Sequence, residues 1–164
     1  MLSKKAPIVL LLLRLSLSWV YLWAFIDKIF GFGFNTPPGK AWVDGISPTL
    51  GYLKFAIKGP FKDFYASLAG DPVVDLLFMA GLLFIGLTMA SGIFLKLGSC
   101  AGVLINILFY TSGFIPPEHN PFIDEHTINL CLFLLIAVGA DAAVLWPARW
   151  WRETSLVKKY PILG

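Results

Sequence analysis

The chain has 164 residues, of which 57% are hydrophobic and only 14% charged, and its mean hydropathy is +0.75. Soluble domains carry about 25% charged residues, so an ordinary water-soluble domain is excluded, while the length suits a single domain. The net charge of +3 follows from where the basic residues fall along the chain and gives no reason to expect nucleic acid as a partner.

The first apolar run covers residues 6–26 and is broken only by Arg14. Lys4 and Lys5 before it imitate the basic start of a signal peptide. The charge inside the run, and the Trp- and Phe-rich stretch after it in place of small residues, predict a retained helix over about 7–30. A long segment, 31–71, follows. Within it Ser47-Pro48 has the form of an N-cap and first helical residue, Leu50, Leu53 and Ile57 share one helical face, and Gly59-Pro60 breaks the piece. Phe61, Phe64, Tyr65 and Leu68 then recur with the period of an amphipathic helix. Neither piece is long enough to span, so both are expected to lie at the outer interface as a lid over Asp75, Asp124 and His126.

Asp71-Pro72 opens a second helix, expected over 72–95, and residues 76–95 carry no charge. After a turn at Lys96, the uncharged run 97–117 predicts a third helix over 97–115. A short loop, 116–120, leads to a fourth over about 121–146, in which Asp141 interrupts the run 127–146. About 20 apolar residues cross a bilayer, so the expectation is an all-α membrane protein. It is a four-transmembrane-helix bundle of two antiparallel helix pairs in one domain, 1–164. A short internal repeat supports the pairs: Gly33-Phe34-Asn35-Thr36-Pro37-Pro38 matches Gly113-Phe114-Ile115-Pro116-Pro117, and Asp71-Pro72-Val73-Val74-Asp75 matches Asn120-Pro121-Phe122-Ile123-Asp124.

Orientation follows from charge. Lys4, Lys5, Lys96, Arg149, Arg152, Lys158 and Lys159 fall on one face with only Glu153 opposing, and the acidic residues gather on the other. The positive-inside rule puts the first face, with both termini, in the cytoplasm of a cell-membrane protein. Trp146, Trp150 and Trp151 form an interfacial belt there. Gly98-Ser99-Cys100-Ala101-Gly102 and the Gly86/Ala90 pair are signals of close helix packing. Cys100 and Cys131 are placed at opposite depths, beyond the roughly 7 Å Cα limit of a disulfide, and are expected to serve packing.

Two constellations could carry chemistry. Arg14 and Asp141 have matching depths, so an ion pair between the first and last helices is expected, as a structural clamp or as a polar wall for a quinone or proton path. At the outer mouth stand Asp27, Lys28, Asp75, His119, Asp124, Glu125 and His126. Histidine beside carboxylates exchanges protons near neutral pH, although acidic residues in a first helical turn also simply favour the helix dipole. Lys54, Lys58 and Lys62 either gather an anion at the surface or snorkel beside lipid. No HxxH or HExxH spacing occurs, and no metal is expected.

These residues resemble the DoxX superfamily of membrane proteins, and within it the DoxD type. The likeness rests on Arg14-Leu15 with Lys28, on Gly45-Ile46-Ser47-Pro48-Thr49, on Lys58-Gly59-Pro60-Phe61, on Leu68-Ala69-Gly70-Asp71-Pro72-Val73-Val74-Asp75 and on Asn120-Pro121-Phe122-Ile123-Asp124-Glu125-His126. It covers nearly the whole chain. The family's glycine in the first helix is replaced near Ser18 or Ala24. The resemblance implies the large subunit of a thiosulfate:quinone oxidoreductase. Quinone would be its co-substrate, and a small companion subunit of the DoxA type and membrane lipids its partners. On this reading His126, Asp124 and Asp75 are catalytic candidates, and Lys28, Lys54, Lys58 and His119 are substrate-binding candidates. The alternative is a non-catalytic subunit of a larger respiratory complex such as a terminal quinol oxidase.

Overall fold

The computed structural model describes residues 6–113, 122–139 and 146–164. Among them every regular element is helical: α1 (Ala6–Phe30), α2 (Lys62–Ser67), α3 (Pro72–Ser91), α4 (Leu95–Ser112), α5 (Glu125–Val138), α6 (Trp146–Glu153) and α7 (Ser155–Lys159), with short 3-10 and π turns between and after them. Three of these, α1, α3 and α4, are long and apolar enough to cross a membrane. At 1.5 Å per residue they measure about 37, 30 and 27 Å, against a hydrocarbon core of about 30 Å. Their outer faces expose Leu12, Trp19, Val20, Leu76, Leu77, Leu104 and Ile107, side chains that a bilayer accommodates and water does not. The fold is that of an all-α membrane protein.

The helices run antiparallel in chain order. Ser18 Oγ donates to the Gly86 carbonyl at 2.8 Å, Arg14 lies beside Gly92 and Lys28 sits over Phe78, so α1 and α3 count in opposite directions. Gly102 meets Phe133 and Phe109 meets His126, which fixes the same relation for α4 and α5. The packing glycines do their work inside the chain. A Cβ on Gly86 would strike Leu22, one on Gly98 would overlap Thr88, and one on Gly102 would land in the Phe133 ring. One buried polar group pairs across helices: Asn106 Nδ2 donates to the Tyr21 hydroxyl of α1 at 2.8 Å, and it also donates to the Gly102 carbonyl one turn back in α4 at 2.7 Å.

Several element ends differ from expectation. The turn between α3 and α4 falls at 92–94 instead of at Lys96, which lies in the first turn of α4. Gly92 has φ +77°, and a Cβ there would stand 2.9 Å from Ala148 Cβ and 3.2 Å from Arg14 Nη1. Only glycine both turns and fits at that point. α5 begins at Glu125, not near Pro121, because the Asp124 carboxylate accepts the Thr127 N–H at 2.9 Å and so caps the helix. Asp71 does the same for α3, accepting from Val73 and Val74. The two N-caps are therefore Asp71 and Asp124, and the proposed repeat shifts register: Asp75, which it aligned with Asp124, lies within α3. α5 spans about 21 Å, and residues 140–145, which the expected fourth helix also included, lie outside the described ones, as does 114–121.

The segment expected to form a lid buries fewer of its apolar residues than its periodicity suggests. The first piece contains a π-helical turn at Tyr52–Ala56, with Leu53 and Ile57 buried beneath it, and Tyr65 and Leu68 join them in a small apolar cluster. Phe61 and Phe64 do not: they are 52% and 62% exposed. α2 has only six residues, too few for one face to carry all four positions inward. Cys100 and Cys131 are both exposed and free, so neither is a packing residue. Their separation is one of direction more than of depth. With Gly102 opposite Phe133, the two lie within about four residues of one level, but each points away from the α4–α5 contact.

Candidate functional site

Asp27 and Lys28 end α1. Asp27 is 1% exposed, and the loop after the helix folds back onto its carboxylate, which accepts backbone N–H groups from Phe32 (3.1 Å), Phe34 (3.4 Å), Asn35 (2.9 Å) and Thr36 (2.8 Å). Those bonds satisfy a buried charge and tie down residues 31–36. Asp27 thus leaves the group of exchangeable outer residues and becomes a structural centre. Lys28 continues past it and holds its ammonium 5.8 Å from the centre of the Phe78 ring, within cation–π range.

Phe78 begins an aromatic wall. It meets Phe109 of α4 edge-on at 6.1 Å, and Phe109 in turn touches Tyr52 at 5.4 Å and the His126 ring at 5.4 Å. His126 Nδ1 pairs with Asp124 Oδ2 at 2.8 Å, and both side chains are about a quarter exposed, 27% and 26%. Asp124 Oδ1 accepts the Thr127 hydroxyl as well as its N–H. Burial raises the pKa of the Asp124 carboxyl. The bonds from His126 and Thr127 outweigh it and hold the group below the usual carboxylate range. The carboxylate orients the imidazole through one nitrogen and leaves Nε2 for an incoming group. A cation, a stacking face and an oriented acid–base pair therefore lie along one wall running from α1 through α3 and α4 to α5.

Asp75 has a different setting. One turn before Phe78, it accepts the Ser47 hydroxyl (2.8 Å), the Thr49 hydroxyl (2.6 Å) and the Thr49 N–H (3.3 Å), and it is 6% exposed. It clasps the lid to α3. The lid also latches onto the end of α4, through Tyr52 to Ser112 (2.8 Å) and Tyr65 to Thr111 (2.6 Å) between hydroxyls, and through the Lys58 N–H to the Ser112 carbonyl (3.0 Å). Tyr52 links it to His126 through Phe109. Lys54 and Lys58 are exposed, and the Lys54 ammonium lies over Phe55, so the structure does not bring either onto the aromatic wall.

At the other end Arg14 is 2% exposed, seated against Gly92. Asp141, its expected partner, and His119 lie outside the described residues. Among the described residues no group of three or more potential metal ligands forms. Sequence reasoning missed the Phe78–Phe109 wall, Tyr52, and the Ser47/Thr49 grip on Asp75. The first two had no signal beyond apolar periodicity, whereas Ser47 had been marked as a cap. It does accept the Leu50 N–H at 3.1 Å. No family model, curated protein or solved structure matches the chain.

Proposed function

We propose that the chain is the membrane subunit of an oxidoreductase of the thiosulfate:quinone type. Four spans would form a bundle of two antiparallel pairs, with both termini in the cytoplasm and the lid outside. The observation that carries the reading is the wall joining Lys28, Phe78, Phe109 and the Asp124–His126 pair. Coupling two thiosulfates to tetrathionate releases two electrons, and a quinone that takes them also takes up two protons. Lys28 offers the anion a positive charge, the aromatic faces offer a flat ring a stacking surface, and His126, oriented by Asp124, offers a proton. Asp75 would act as a positioning residue, through its hold on the lid. Lys54 and Lys58 would draw the anion toward the rim without touching it. Partners would be a small companion subunit and the surrounding lipid.

A second reading, an accessory subunit of a larger respiratory complex such as a terminal quinol oxidase, is favoured by the exposed Phe55, Phe61 and Phe64, which a partner could cover. Purified chain, with its companion, is to be assayed for thiosulfate-dependent quinone reduction. Activity is expected, and His126→Ala should lower turnover by roughly 10²-fold with the fold intact. Unchanged turnover in that variant would remove the wall as the site, and absence of any quinone reduction would favour the accessory reading.

A further inference from the structure

The end of the bundle away from the lid carries a surface that the redox reading does not use. α6, α7 and the turn Pro161–Leu163 are pinned to the α3–α4 turn. Ala148 (1% exposed) faces Gly92, Val157 is 6% exposed, Trp151 packs on Phe94 at 4.7 Å, and its Nε1 donates to the Leu163 carbonyl at 2.7 Å. Lys96 Nζ reaches from α4 to the Pro161 carbonyl at 3.2 Å. The tail is thus a fixed platform, and apart from the half-buried Arg152 its charged side chains are exposed.

Those groups are of two kinds. Trp150 (59% exposed), Leu156 (48%), Tyr160 (48%) and Ile162 (54%) are apolar or amphipathic, and Arg149, Lys158 and Lys159 stand exposed among them. Opposite Ala148 on α6 and Val157 on α7, the helical period places Arg149 and Trp150, and Lys158 and Lys159. Over residues 146–164 four basic side chains face one acidic one, Glu153. Apolar side chains beside cations, on a platform at the mouth of three spanning helices, match the layer where acyl chains meet headgroups. Such a platform also attracts negative headgroups over neutral ones. The lid end differs: there Lys54, Lys58 and Lys62 are interleaved with exposed Asp44, Asp63 and Asp71.

We infer that the α6–α7 platform is a binding surface for anionic phospholipid headgroups, with Lys158, Lys159 and Arg149 contacting the phosphates while Trp150 and Leu156 enter the acyl boundary. The full chain in detergent is to be titrated with phosphatidylglycerol or phosphatidylcholine, with retained lipid read by native mass spectrometry and thermal stability followed alongside. Wild type should bind phosphatidylglycerol at least tenfold more tightly. Lys158→Gln plus Lys159→Gln should weaken that binding on the order of tenfold and leave phosphatidylcholine binding and the melting temperature in lipid-free detergent unchanged. Removing the same number of charges at the lid end, Lys54→Gln plus Lys62→Gln, should leave the preference intact, and inorganic phosphate at equal ionic strength should not protect. Equal binding of the two lipids, an undiminished preference in the Lys158/Lys159 variant, or protection by phosphate alone would each overturn the inference.

Discussion

Asp124 does two jobs with one carboxylate, and they respond differently to substitution. As an N-cap its loss to alanine should cost about 1 kcal/mol of helix stability, whereas Asp124→Asn retains a capping oxygen but cannot hold charge beside His126. Because its native pKa is depressed, the stability it contributes is fully present above the ordinary carboxylate pKa of about 3.9. That contribution is lost as pH falls through the lower native value. Thermal unfolding followed from pH 7 to pH 3 should show this loss in wild type and a flatter profile in Asp124→Asn. Equal profiles would mean that the His126 and Thr127 bonds do not favour the charged form. At the same scale Asp27→Ala strands four backbone N–H groups that now share one carboxylate. Unmet buried donors cost about 1–3 kcal/mol each when truly dry. Amide exchange in residues 32–36 should accelerate well before the bundle itself opens.

The helices and the lid make separable units. The close approach of α4 to α5 depends on the absence of a side chain at Gly102, where a Cβ would occupy the Phe133 ring. Gly102→Ala should destabilise by about 1–3 kcal/mol, and a smaller side chain in Gly102→Ala with Phe133→Leu should recover part of it, as measured by unfolding in detergent. If the double variant were no better than the single one, the helices would be meeting elsewhere. The lid is held to α4 by two hydroxyl pairs, so Tyr52→Phe with Tyr65→Phe should raise its amide exchange and proteolytic nicking while leaving the helices protected. The long apolar helices were legible because runs of about 20 residues with at most one charge leave no other assignment, and Asp71-Pro72 marked the start of α3 without ambiguity. The start of α5 was not, since Pro121 and Asp124 both have the form of a helix opening, and only the Thr127 contacts decide between them. Phe61 and Phe64 misled because an i, i+3, i+4, i+7 pattern over eight residues does not distinguish a face toward protein from one turned away from it.

At the scale of the molecule, the wall assembles one group from each of four helices that are distant in sequence. Lys28, Phe78, Phe109 and His126 were each visible as residues, but their meeting depends on helix register, which periodicity does not supply. His126 and Lys28 could be singled out by chemistry. The two phenylalanines that join them could not be separated from the fourteen in the chain. Rim and wall should separate kinetically. Lys54→Ala with Lys58→Ala is expected to raise the apparent KM for the anion, more so at low salt, with kcat little changed, whereas Lys28→Ala should also affect the step beyond capture. Equal effects of both sets at all salt concentrations would argue against long-range attraction at the rim.

The loop wrapped on Asp27 has one more consequence. Successive backbone N–H groups converging on a point make a concave anion receptor, of the kind that elsewhere takes phosphate or sulfate. In this chain the receptor is occupied by a carboxylate built into the same polypeptide, held at effectively unlimited local concentration. A dissolved oxyanion does not displace a carboxylate held in this way, so this receptor is closed to sulfate, phosphate and thiosulfate alike. Under the proposed function, a doubly charged substrate would instead meet exposed and half-buried lysines, weak and exchangeable by comparison, where it could bind, react and leave.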